Sequence, residues 1–262
     1  MTGVPESFLV LVAGLLGLFG GSFVTVVVHR GPTIWGLVEP PKALPARYSL
    51  ALPRSHCPAC GETIRIPHLI PLVGYLLANG KCKHCGAVIP VRYPLIEGLG
   101  LLAGVAAALT AGNALAFAGS LLFLLALLAL GAIDWETGYL PDRITLPLLV
   151  LGLGFGAGSV FVPFIDSALG AAIGYAAFAA LAAGYKALRG HEGLGHGDAK
   201  LLGAMGAFTG PYALPGIILI GSLFALLVIG IGALRGKSVN AQTEIHFGPF
   251  LAVGGAVMFL VF

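Results

Sequence analysis

The sequence predicts an all-α polytopic membrane protein: a helical bundle of about eight transmembrane helices with a small cytoplasmic four-cysteine zinc module. Of its 262 residues, 58% are hydrophobic and only 10% are charged, whereas a soluble domain is about 25% charged. The 40 glycines suit membrane helices, because small residues let such helices pack closely. The net charge of +3 gives no indication of a nucleic-acid partner, and the lipid bilayer is the expected surrounding.

The apolar residues are concentrated in segments of the length that crosses a bilayer, about 20 residues. Eight such spans are predicted, at 8–28, 94–112, 115–134, 143–162, 166–188, 198–212, 214–234 and 248–262. We expect the first to be retained rather than removed as a signal peptide, because no small-residue cleavage site follows it.

The basic residues predict the orientation of these spans. With the N-terminus outside, the cytoplasmic segments are 29–93, 135–142, 189–197 and 235–247. All 14 Lys and Arg residues lie in these segments or within a helical turn of them. Since cytoplasmic loops of membrane proteins are enriched in Lys and Arg, this one-sided distribution supports both the number of spans and their direction.

Four cysteines in the first cytoplasmic segment form two Cys-x-x-Cys pairs, each followed by glycine: Cys57, Cys60, Cys82 and Cys85. Paired thiolates at this spacing predict a tetrahedral Zn²⁺ site. We expect the zinc to be structural, because four thiolates leave no open coordination position. Two disulfides or four uncoordinated thiols are the alternatives, and disulfides are rare in the cytoplasm. His56 and His84 flank the pairs as further possible ligands.

Acidic residues in or beside membrane spans are usually functional. Asp134 ends the third span, Asp142 precedes the fourth, and Asp198 opens the sixth within Gly195-His196-Gly197-Asp198-Ala199-Lys200. These three are predicted to lie at the same cytoplasmic depth. Two carboxylates that meet across a bundle can share one proton, so that one serves as a base towards water and the other as an acid towards a peptide carbonyl.

Other acidic residues beside the spans, and Asp198 itself, also have structural interpretations. Asp198 and Asp142 can act as N-caps of the helices that they open, and Glu136 can be a solvated loop charge.

Lys200 either orients Asp198 or extends its amino group to the membrane surface. Glu97, near the start of the second span, either binds a substrate ammonium group or pairs with a buried arginine. Gly195 and Gly197 are expected to let backbone and substrate approach Asp198 closely.

Together these motifs resemble the prepilin peptidase family, and the resemblance covers nearly the whole chain. It comprises Gly21-Ser22-Phe23 with Arg30, the two cysteine pairs followed by Arg92 to Glu97, Asp134 with Leu140-Pro141-Asp142, Gly195 to Lys200, and Phe247-Gly248-Pro249-Phe250. Two positions depart from the family pattern: Thr25 stands where asparagine is usual, and His246 where proline is common.

The resemblance implies an intramembrane aspartyl protease with Asp134 and Asp198 as its catalytic pair. Asp142, Gly195, Gly197, Lys200 and Glu97 are then supporting residues. The implied substrates are type IV prepilins and pseudopilins, cleaved at the cytoplasmic face of the bacterial inner membrane. Intact cysteine pairs imply a second activity, N-methylation of the new terminus with S-adenosylmethionine.

The resemblance also implies a division of the chain into a first transmembrane helix (1–28), a zinc module (29–93) and a seven-helix protease core (94–262). Three other functions are compatible with the residues alone. They are a proton-coupled transporter, a non-catalytic factor that docks pilins through the zinc module, and an intramembrane protease with different substrates.

Overall fold

A computed structural model of the chain describes residues 5–40, 45, 47–190, 195–236 and 246–262. The described residues contain nine α-helices, two short 3-10 turns and, in place of strands, two isolated β-bridges beside the cysteine pairs. The helices are α1 (Glu6–Ile34), α2 (Val73–Leu77), α3 (Arg92–Thr110), α4 (Ala114–Thr137), α5 (Asp142–Ala157), α6 (Phe164–Arg189), α7 (His196–Thr209), α8 (Leu214–Leu234) and α9 (Gly248–Val261). The predicted all-α fold is confirmed.

A helix occupies each of the eight predicted spans. Within the described residues, five segments are long and apolar enough to cross a membrane: Glu6–Ile34, Arg92–Thr110, Ala114–Thr137, Phe164–Leu188 and Pro211–Leu234. Helices α5 and α7 are shorter than predicted. Ser159 has a φ of +50° just beyond α5, and Gly210 has a φ of +75° just beyond α7. Neither conformation continues a right-handed helix.

The chain divides into two compact units, Met1–Ala111 and Gly112–Phe262. In the first unit, α1 packs along α3 through glycines that face each other across the contact. A Cβ atom on Gly17, Gly100 or Gly104 would overlap backbone atoms of the opposite helix. Small residues therefore bring the two backbones together, as is common between membrane helices.

Helix α1 continues to Ile34, beyond the predicted end of its span at residue 28. Pro32 lies inside this last part, where it removes one hydrogen bond without ending the helix. As a result, Arg30 is a helical residue and is buried, with only 6% of its surface exposed.

In the second unit, α7 is the most enclosed helix. Every residue from Leu201 to Thr209 is buried, and α7 packs against α5, α6 and α9. Ser167 on α6 donates a hydrogen bond to the carbonyl of Ala207 (2.6 Å). Because protein rather than lipid surrounds α7, this short helix needs neither the length nor the hydropathy of a lipid-facing span.

Candidate active site

Three helix ends meet within the second unit and position the candidate active site. Gly138, with a φ of +70°, caps the C-terminus of α4, so Asp134 lies in the last turn of that helix. Asp198 lies in the first turn of α7, and Gly248 is the first residue of α9. These three helix ends are far apart in the sequence. They meet because α4 and α7 both pack against α9.

Asp134 is almost completely enclosed, with 5% of its surface exposed. Its Oδ2 atom accepts a hydrogen bond from the backbone N–H of Gly248 at 3.0 Å. This donor belongs to the N-terminus of α9, where unpaired N–H groups and the helix dipole favour negative charge. His246, just before α9, also interacts electrostatically with Asp134.

Asp198 is 8% exposed and interacts electrostatically with Asp134. The N-cap of α7 is Gly195, and its backbone N–H donates a hydrogen bond to the Asp198 carboxylate. The interpretation of Asp198 as an N-cap is therefore wrong. Two buried acidic side chains from different helices therefore lie close enough for their charges to interact.

The two glycines before Asp198 have different surroundings. A Cβ atom on Gly197 would lie 2.8 Å from the Cβ of Leu140, closer than side-chain carbons pack. A Cβ atom on Gly195 would lie 3.4 Å from Oδ2 of Asp198, which is tight but nearly an ordinary contact. The absence of a side chain is thus a steric requirement at Gly197, where the start of α7 passes the α4–α5 connection.

Asp142 and Lys200 form an ion pair that the sequence analysis did not predict. The Lys200 Nζ atom lies 2.7 Å from each carboxylate oxygen of Asp142. Asp142 is the first residue of α5, but Pro141 holds the N-cap position and no side chain caps the helix. The interpretation of Asp142 as a cap is wrong, and Lys200 contacts Asp142 rather than orienting Asp198 or extending to the surface alone.

We expect the Asp142–Lys200 pair to contribute modestly, because its side chains are 50% and 32% exposed and exposed pairs stabilise proteins by about 0–1 kcal/mol. Lys200→Met and Asp142→Asn should each lower the unfolding temperature slightly. The unfolding temperature of the double variant should be no lower than that of either single variant. A thermal-unfolding double-mutant cycle measures this, and additive losses would show that the two residues act separately.

Two contacts of Asp134 were not predicted. The Phe247-Gly248-Pro249-Phe250 motif does not by itself indicate a role for Gly248, but a Cβ atom at this position would lie 2.7 Å from Oδ2 of Asp134. His246, which departs from the family pattern, interacts electrostatically with Asp134. Their distance from Asp134 in the sequence hid both contacts. Glu136 is exposed, as expected, but it lies in the last turn of α4 rather than in a loop.

The four cysteine sulfurs of the first unit lie within 4.8 Å of one another, and all four cysteines are free. The Cys57 and Cys85 sulfurs are 3.8 Å apart, which matches the edge of about 3.8 Å for a tetrahedron with Zn–S bonds of 2.3 Å. The backbone N–H groups of Cys85 and then His84 lower the pKa of Cys82 to about 6. The cluster can hold a zinc ion, and the disulfide alternative is wrong.

Glu97 joins three segments of the first unit. Its Oε1 accepts a hydrogen bond from the Ser22 hydroxyl at 3.1 Å, and its Oε2 accepts one from the Leu72 backbone N–H at 2.7 Å. Leu72 has a φ of +61°, an uncommon conformation for a residue with a side chain. Among the described residues, Glu97 does not pair with a buried arginine, which was the alternative; the buried Arg30 donates to the carbonyl of Ser49.

An apolar bundle of helices with two interacting buried aspartates at its helix ends has the architecture of a membrane aspartyl protease. Comparison with known families is more specific. Residues 15–111 match the bacterial peptidase A24 N-terminal domain, and residues 121–231 match the type IV leader peptidase family. The first match contains all four cysteines and the second contains both Asp134 and Asp198. This chain belongs to the type IV leader peptidase family.

Similar curated proteins carry the name prepilin leader peptidase/N-methyltransferase. The protein from Burkholderia pseudomallei is 42% identical over 97% of this chain and 85% of its own length. Those from Neisseria gonorrhoeae and Pseudomonas aeruginosa are each 41% identical over 98% of this chain and over 92% and 91% of their own lengths. A comparison with solved structures finds no match. The apolar helices and the family together indicate an inner-membrane protein.

Proposed function

We propose that this chain is a membrane aspartyl endopeptidase that removes the leader peptide from type IV prepilins and pseudopilins, and that it then N-methylates the new terminus with S-adenosylmethionine. The observation that carries the peptidase activity is the electrostatically interacting pair of buried carboxylates, Asp134 and Asp198. The names of the relatives support the substrate class and the second activity.

In this mechanism the pair shares one proton, because two like charges in close contact resist joint ionisation. The Gly248 N–H bond stabilises a charged Asp134, which acts as the base and takes a proton from water. The resulting hydroxide attacks the scissile carbonyl carbon while Asp198 gives its proton to the carbonyl oxygen. When the tetrahedral intermediate collapses, the C–N bond breaks and Asp134 gives its proton to the departing amine. Asp198 regains its proton from a hydroxyl of the intermediate, which restores the starting state of the pair.

The substrate's two-part chemistry suits a site at the end of the helices. A basic leader stays in the cytoplasm and an apolar helix lies in the bilayer, so the bond to be cut is at the membrane boundary. The distribution of the 14 basic residues supports a cytoplasmic position for this end of the bundle. Lys42 and Lys237, which contribute to that pattern, lie outside the described residues.

Mass spectrometry of a purified prepilin tests both activities together. Incubated with the protein in detergent, the prepilin should lose the mass of its leader. With S-adenosylmethionine present it should then gain one methyl group. Cleavage without methylation would confine the proposal to the peptidase, and an intact prepilin would contradict the proposed function.

Zinc has a structural role in this proposal, because the cysteine loop is short and lacks a large apolar core of its own. Cys57→Ser should remove most of the bound zinc and lower the unfolding temperature, since metal binding supplies folding free energy to such modules. Elemental analysis of the purified protein measures the zinc content.

His84→Ala and His56→Ala are the controls for the zinc experiment and should retain the metal. His84 is exposed, and the His56 Nδ1 lies 3.0 Å from the carbonyl oxygen of Arg54. Loss of zinc from either histidine variant would contradict a site made of four thiolates.

A further inference from the structure

The first unit contains a partly open cavity of about 720 Å³ between the end of α1, the cysteine module and the start of α3. Small-molecule pockets are typically about 300–1,000 Å³, so this one has room for a ligand the size of a nucleoside conjugate. Tyr48, Tyr75, His29 and His68 contribute to its wall. Nothing in the peptidase mechanism uses this cavity.

Arg30 places a buried positive charge in the cavity wall. Only 6% of Arg30 is exposed, its Nη1 donates to the carbonyl of Ser49 at 3.0 Å, and its guanidinium lies 5.7 Å from the ring centre of Tyr48. In the part of the chain that the structure describes, no carboxylate pairs with it. A guanidinium has five N–H donors, and buried charges are normally paired, so the site is suited to an anionic group.

Glu97 gives the same cavity an acidic end. Its contact residue Ser22 precedes Arg30 by eight positions on α1, which corresponds to about 12 Å along the helix axis. The two charged side chains are thus anchored about two turns apart on α1, which suits an elongated ligand together with a second substrate. His68 also lines this cavity, and its buried Nδ1 has no hydrogen-bond partner within the described residues.

We infer that this cavity is the methyl-donor site, with Arg30 binding the carboxylate of S-adenosylmethionine and Glu97 receiving the amino terminus of the cleaved pilin. The inference rests on the proposed N-methyltransferase function and adds a location and two binding residues to it. Tyrosine rings of the wall can stack on adenine and attract the positive sulfonium.

The transfer balances without a further reactant. The neutral amine attacks the methyl carbon of the sulfonium, an N–C bond forms, and the S–CH₃ bond breaks. Its electron pair remains on sulfur, which becomes the neutral thioether of S-adenosylhomocysteine. The methylated amine then releases one proton to water. An α-amino group has a pKa of about 8, so a useful fraction is neutral near neutral pH.

Calorimetric titration of the full chain in detergent tests the role of Arg30. The probes are S-adenosylmethionine and its decarboxylated form, which lacks only the carboxylate. Wild type should bind the decarboxylated form about 10- to 100-fold more weakly, the range for a charge-assisted hydrogen bond. Arg30→Gln should weaken S-adenosylmethionine by a similar factor and should leave the two probes nearly equal.

Arg47→Gln is the matched control, because it removes the same charge from an exposed residue outside the cavity wall. It should bind both probes like wild type. If Arg30→Gln does not fold, Arg30→Lys keeps the charge and should show an intermediate preference. Equal affinity of wild type for the two probes would overturn the inference.

Ultraviolet cross-linking of labelled S-adenosylmethionine locates the site independently. The label should appear in peptides between Ser22 and Glu97, and label only within 112–262 would overturn the location. If wild type methylates pilin but shows neither the expected probe preference nor the expected cross-link, only the assignment of this cavity is disproved. If wild type neither binds S-adenosylmethionine nor transfers its methyl group, the methyltransferase part of the proposed function is disproved.

Discussion

Asparagine in place of either Asp134 or Asp198 is expected to lower leader cleavage by at least about 1,000-fold, within the range for loss of a general acid or base. The change preserves the shape of the side chain and removes its ability to accept and release a proton. At these nearly enclosed positions, with 5% and 8% exposure, solvent cannot readily substitute for the missing group.

The two substitutions should not be additive. A shared proton makes the pair one functional unit, and removing one member of such a unit eliminates nearly everything that the unit contributes. The Asp134→Asn, Asp198→Asn double variant should therefore cleave no more slowly than either single variant. Initial rates of leader release, followed by mass spectrometry, measure all three.

Asp166→Asn is a matched control, because Asp166 lies in the first turn of α6 in the same unit and takes no part in the proposed site. It should cleave at nearly the wild-type rate. Asp142→Asn separates the two aspartates of the first motif, and we expect it to retain most of its activity. An inactive Asp142→Asn together with an active Asp134→Asn would show that the wrong aspartate had been assigned.

The sequence is sufficient to predict the helices of this fold, because lipid imposes a length and a hydropathy on each span. The prediction is least accurate where protein replaces lipid or where the helix end depends on local geometry. Helix α7 is enclosed by its neighbours and ends at Thr209, before a glycine with positive φ. Helix α1 continues through Pro32, although its apolar run ends earlier.

The candidate site shows a similar division. Asp134 and Asp198 are identifiable because carboxylates are costly in a membrane and stand out from their apolar surroundings. Their partners cannot be identified in this way. Gly248 contacts Asp134 across 114 sequence positions, and Lys200 contacts Asp142 across 58; only the packing of the helices determines which groups meet.

Alanine at Gly248 is expected to reduce cleavage by about 100-fold, the scale associated with a displacement of roughly 1 Å in an active site. Its Cβ atom would lie 2.7 Å from Oδ2 of Asp134, so either the carboxylate or the start of α9 must shift. The 3.0 Å hydrogen bond from the Gly248 N–H would lengthen or break. Asp134 would then lose the donor that stabilises its charged form and fixes its orientation.

The same substitution should do little harm to the helix, because alanine favours helical backbone over glycine by about 0.5–1 kcal/mol. The expected signature is a lower cleavage rate with a nearly unchanged unfolding temperature. Gly230→Ala is the control, since a Cβ atom there meets nothing within 4 Å. Wild-type cleavage by Gly248→Ala would show that the Gly248 contact with Asp134 is not needed for catalysis. A collapse in the unfolding temperature would instead place the role of Gly248 in packing.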